Sequence, residues 1–104
     1  MSIKYLGTKD LDDFEVVSLK KIVEQGYAKL QNYESQLGNI ELTVHVKVMN
    51  DQGRAKVFDV SLKLSSKKRS GTFDVRNEEW DLKKSLHGAF AALEINLQHT
   101  LKLK

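Results

Sequence analysis

Nine consecutive residues, Ile40-Glu41-Leu42-Thr43-Val44-His45-Val46-Lys47-Val48, place an apolar side chain at every even position and a polar one at every odd position. Successive side chains of a β-strand point to opposite faces, so this stretch can bury one face only. It commits the chain to a sheet with one dry side and one wet side. Turn formers follow at Asn50-Asp51-Gln52-Gly53, and residues 56–64 alternate again, with Phe58, Val60, Leu62 and Leu64 in phase. The two runs predict a hairpin. Past a polar loop at residues 65–71, the stretch Thr72-Phe73-Asp74-Val75-Arg76 resumes the alternation as a third strand of the meander.

Two helical patterns flank the meander. The first uses Val16, Leu19, Val23, Tyr27, Leu30 and Leu37, opens with Asp12-Asp13 and Glu15, and stops at Gly38-Asn39. The second uses Leu82, Leu86, Phe90, Leu93, Leu97 and Leu101, spaced by threes and fours. Asn77 or Asp81 is positioned to cap it, with Glu78 and Glu79 where negative charge favours a helix start. Residues 3–6 then form a short first strand. The predicted fold is one α+β domain over residues 1–104, of order β-α-β-β-β-α, with a four-stranded mixed sheet. A strand-helix-strand unit pairs its strands in parallel, which places the first helix on one sheet face. The second helix must share that face, because only one side of each strand is apolar. The other side, with Glu41, Thr43, His45, Lys47, Asp59, Ser61, Lys63, Asp74 and Arg76, is expected to meet water.

Composition narrows the function. A chain of 104 residues has room for a single core, so mechanisms that close two domains on a substrate are excluded. With no cysteine there is neither a disulfide nor a thiolate metal site, as is usual in a reducing compartment, and the cytoplasm is the expected location. No segment approaches the roughly 18 apolar residues of a membrane span, and the N-terminus lacks the apolar run of a secretion signal. His45, His87 and His99 do not share the close spacing of a metal pair, and no base, nucleophile and charge stabiliser can be assembled into a catalytic group. No metal, cofactor, small-molecule substrate or enzymatic activity is expected.

A net charge of +3 favours polyanionic partners only mildly, so the location of the charges must decide. The chain carries 17 Lys and Arg against 14 Asp and Glu. Lys67-Lys68-Arg69, with nearby Lys63, could clamp a phosphate backbone or simply solvate a hairpin turn. Lys20, Lys21 and Lys29 on the first helix, with Lys83 and Lys84 on the second, could form a basic stripe interrupted by Glu24, Glu34, Glu79 and Glu94. Ala91, Ala92 and Ile95, beside Gly88, lie off the second helix's apolar stripe and offer a small-residue surface to another chain, including a second copy. Trp80 and Tyr33 fall at helix ends, where aromatic side chains commonly seal the core.

The order of elements and several residues resemble the ribosome hibernation factor family, also called ribosome-associated inhibitor A or sigma modulation proteins. Ala28-Lys29-Leu30-Gln31-Asn32-Tyr33 is similar to that family's Ala-Lys-Leu-Glu-Lys followed by an aromatic. Asp81-Leu82 and Leu93-Glu94-x-x-Leu97 sit where the family has its Asp-Met-Tyr and Leu-Glu-x-x-Leu signatures. The likeness spans almost the whole chain. It implies a fold similar to a double-stranded-RNA-binding domain, and a translation inhibitor that occupies the small ribosomal subunit through basic residues of both helices. Several of the family's basic positions fall here on Gly26, Asn32, Ala92 and Ile95, and its tyrosine falls on Lys83. The alternative expectation is therefore a protein-interaction or self-associating module on the same scaffold.

Overall fold

The computed structural model describes residues 3–51, 55–68 and 72–101. Its elements are β1 (Ile3–Leu6), a 3₁₀ turn (Thr8–Asp10), α1 (Asp13–Leu30), a 3₁₀ turn (Gln31–Tyr33), α2 (Glu34–Leu37), β2 (Ile40–Asp51), β3 (Ala55–Ser66), β4 (Thr72–Glu79) and α3 (Leu82–Leu101). The four strands form one sheet in the order β1-β2-β3-β4, with β1 parallel to β2 and the other pairs antiparallel. This is the α+β arrangement that the alternation and the helical stripes predict. Of the expected hairpin turn, Gln52 and Gly53 lie outside the described residues, as does Arg69 in the following loop.

Register follows parity. Leu42 pairs with Leu64, Val44 with Leu62 and Val46 with Val60, and all six side chains are buried in one cluster with Leu19, Val23, Leu86, Leu93 and Leu97 of the helices. Glu41, His45, Lys47 and Lys63, of the opposite parity, are exposed. Both long helices therefore cover the same sheet face. They run parallel, because residues 12–18 at the start of α1 and residues 80–83 at the start of α3 line one groove. They cross at Gly26, where an added Cβ would lie 2.5 Å from the Phe90 ring. A side chain there would push the helices apart.

The first helix is shorter than its stripe implies. It stops at Leu30, and the chain reaches Leu37 through the tighter 3₁₀ turn and one further helical turn. Asn32 and Ser35 are weak helix formers, while Leu30 and Leu37 are both fully buried, so the bend lets each enter the core. At the other end the entry is as expected. Asp12 and Glu15 form a reciprocal capping box, with Glu15 N donating to Asp12 Oδ1 at 2.7 Å and Asp12 N to Glu15 Oε1 at 2.9 Å.

Three further expectations need correction. β4 continues to Glu79, so Asn77, Glu78 and Glu79 are strand residues rather than a helix start. Asp81 alone caps α3, accepting from Lys83 N at 3.0 Å, while the Asn77 amide donates to Ser85 O at 3.1 Å. Asp59, assigned to the wet face, is 5% exposed. The Arg76 guanidinium grips both Asp59 carboxylate oxygens through Nε at 2.8 and 2.9 Å, with Nη2 reaching Glu78 at 2.9 Å. These carboxylates hold the Arg76 guanidinium above its ordinary pKa, the Asp59 hydrogen bond contributing most.

β2 and β3 outrun their neighbours. β4 pairs with β3 only from Phe58 onward and β1 with β2 only as far as His45, so the rungs Met49–Val57, Asn50–Lys56 and Asp51–Ala55 form a projecting two-stranded ribbon.

Two outcomes follow from this packing. Gly26→Leu is expected to lower unfolding free energy by about 1–3 kcal/mol in a denaturant titration, because Phe90 is buried and cannot yield freely. Arg76→Met is expected to lower the melting temperature by stranding the Asp59 carboxylate, and Asp59→Asn in the same chain should restore most of the loss.

Candidate nucleic-acid interface

Two residues past Leu19 and two before Val23, Lys21 points away from the core, and Lys84, between Leu82 and Leu86, does the same on α3. Their levels can be read from the crossing of Gly26 and Phe90. At 1.5 Å per residue, Lys21 lies about 7.5 Å before that crossing on α1 and Lys84 about 9 Å before it on α3. Parallel helices thus bring the two lysines level on one outward face. Lys20 and Lys83 are their exposed neighbours. Lys20 shares a flank with Glu24, one turn on, and Glu24 lies toward β1, where it adds to the burial that pushes the Tyr5 phenol above its ordinary value of 10.

Further along, the helices enclose a groove of about 380 Å³ whose walls include Ile22, Lys29, His87, Ala91 and Glu94. Lys29 thus faces the groove rather than the open top of α1, and Glu94 shares the wall. Of the expected stripe, Lys21 and Lys84 are level on the outward face, Lys20 lies on the Glu24 flank toward β1, Lys83 borders the groove at the helix starts, and Lys29 is set apart beside a carboxylate.

Lys63 is elsewhere. Its parity places it on the open sheet face, beside a hollow of about 420 Å³ shared with Leu6, His45, Asp74 and Arg76. One surface of a partner cannot touch Lys63 and the helix lysines together, since the sheet separates them.

Lys67 and Lys68 follow the end of β3, where their backbone closes the turn after α2. Lys67 N donates to Asn39 O at 3.2 Å and Lys68 N to Leu37 O at 3.1 Å. Gly38, with φ of 72°, supplies the left-handed residue that ends the helical turn. The Ser66 hydroxyl also donates to Leu37 O, and the Lys68 ammonium donates to Ser35 O at 3.0 Å. Carbonyls left unpaired at the helical end are satisfied by this strand. Lys68, read as either a phosphate clamp or a solvated loop residue, donates its ammonium to a helical-end carbonyl, a role its place in a basic tripeptide does not reveal.

Of the apolar interface residues, Ile95 is 56% exposed, Ala91 lines the inter-helix groove and Ala92 is half-buried. Gly88 faces the Asn77 side chain of β4 and is not free to form a surface. Tyr33 packs against the core as expected of a sealing aromatic, but Trp80 is 63% exposed. It sits between the last residue of β4 and the cap of α3, and the chain reverses there before its side chain can reach the core. Phe14, 75% exposed, stands off the α1 stripe. Its position two residues before Val16 could have marked it as outward.

Among the described residues no three His, Cys, Asp or Glu side chains gather as a metal site, and no helix is long and apolar enough to cross a membrane. The chain matches no protein-family model and no curated protein.

The capping geometry carries its own test. Lys68→Ala should lower stability by about 0.5–1.5 kcal/mol in thermal or denaturant melts, whereas Lys67→Ala should stay within about 0.5 kcal/mol of the parent.

Proposed function

We propose that the domain binds structured RNA through the outward face of its paired helices, and that its partner is the small ribosomal subunit. Its action is steric. By occupying the subunit it would silence translation in the cytoplasm, as the resemblance to hibernation factors implies. The observation that carries this reading is the levelling of Lys21 and Lys84 by the parallel crossing at Gly26 and Phe90, with Lys20 and Lys83 beside them. A rigid pair of helices presenting several ammonium groups suits a polyanion recognised by shape, since each neutralised phosphate releases counterions. Lys29 borders the same surface. Lys63, Lys67 and Lys68 belong to the end of β3 and the residues after it, and with Arg69, which lies outside the described residues, are assigned a secondary role.

A second reading has one observation in its favour, the exposure of Ile95 on the outward side of α3, with Ala91 a turn away. It makes the same face a contact between two copies.

Co-sedimentation with purified small subunits separates the two. Binding at low salt that disappears at high salt, and that is lost in Lys20→Glu/Lys21→Glu/Lys84→Glu but kept in Lys63→Glu/Lys67→Glu, is the expected result. Retention of binding by the triple variant would overturn the RNA reading. Salt-resistant dimers that Ile95→Lys dissociates, in a chain that does not bind subunits, would establish the second.

A further inference from the structure

The groove at the start of the two long helices is unlike the rest of the helix face. Phe14, on α1, and Trp80, before α3, stand on its walls and are 75% and 63% exposed. Phe58 and Leu82, both buried, supply the apolar floor of a depression of about 340 Å³. Val17, 66% exposed and one turn from Phe14, extends the apolar surface along α1. Two large aromatic side chains left in water around one groove form an apolar patch that nothing in the fold requires, because the core is complete without them.

The groove's charge indicates what fits. Asp12, Glu15 and Asp81 line it against a single lysine, Lys83. The acidic character extends beyond the lining. Asp10 and Asp13 precede and begin α1, and Glu79 ends β4, all close in the chain to the same residues. Lys56 meets this group only at 3.9 Å from Glu15. Carboxylates around a tryptophan and a phenylalanine form a surface for a cation carried on an apolar stem: the rings attract it through their faces, the acids through charge. A nucleobase could stack on Trp80, but its phosphates would meet three carboxylates.

We propose that this groove docks a short segment of another protein in which an arginine stands beside an aliphatic residue, the aliphatic side chain entering between Phe14 and Trp80 and the guanidinium meeting Asp81 and Glu15. The site borders the RNA-binding face at Lys83 but shares none of its other lysines, and does not depend on RNA binding. The domain would then hold RNA on its helix tops and a basic protein segment at its helix starts.

Trp80 is the chain's one tryptophan, so its emission reports on the groove directly. The full chain is titrated with the peptide Arg-Leu-Arg-Arg-Leu, with Glu-Leu-Glu-Glu-Leu, and with an oligouridine. A saturable blue shift with the arginine peptide alone is expected, and Phe14→Ser should weaken it at least tenfold by calorimetry. Because Phe14 is exposed, that variant should keep the parent's melting temperature and its binding to small subunits. An equal response to the acidic peptide or to oligouridine would overturn the proposal, as would undiminished affinity in both Phe14→Ser and Trp80→Ser. Concentration-dependent dimers that Phe14→Ser abolishes would overturn it in favour of a second copy as the occupant.

Discussion

Everything in this molecule answers to the single apolar face of its sheet. Strands of strict alternation can be covered only from one side, so both long helices are driven to that side and must lie against each other as well as against the strands. Their separation is then set by what stands between them. A residue without a side chain at position 26 lets the Phe90 ring fill the contact, and the parallel course of the helices levels groups that are 63 residues apart in the chain. The same parity rule decides which lysines can act together. Lys63 alternates to the open side and is thereby removed from any surface that the helices present.

Much of this was legible in the sequence because it rests on period. The alternation in β2 and β3 gave the hairpin and its buried face, and Asp12-Asp13 with Glu15, and Gly38, marked the limits of the first helical region. What was not legible depended on tertiary contact. The break after Leu30 arises from the need to bury both Leu30 and Leu37, which a continuous apolar stripe does not express. The last residues of β4, Asn77, Glu78 and Glu79, have the composition of a helix entrance; pairing with Phe58, Asp59 and Val60 overrides that preference. Asp59 reads as a wet-face residue until Arg76, across the strand pair, is known to grip its carboxylate.

For the candidate site the division is similar. Exposure of Lys20, Lys21, Lys83 and Lys84 follows from their places between stripe residues, so their outward direction was readable. Their convergence required the helices' relative direction, which no local pattern holds. Lys68 shows the reverse case: in sequence it is the centre of a basic run, in space its ammonium closes a helical end. Trp80 reads as a sealing aromatic from its place at a helix end, and the short link between β4 and α3 keeps it outside.

The ribbon at the far end of β2 and β3 gives the domain an uneven firmness. Its last three rungs pair only with each other, with neither β1 nor β4 beside them, so their backbone bonds can open while the four-stranded part stays closed. Amide protons in that stretch should exchange through small local fluctuations, while those between Val44 and Leu62 wait for the whole molecule to come apart. The chain is in this sense a stiff wedge with a pliant tongue, able to bend at one end at almost no expense to the other.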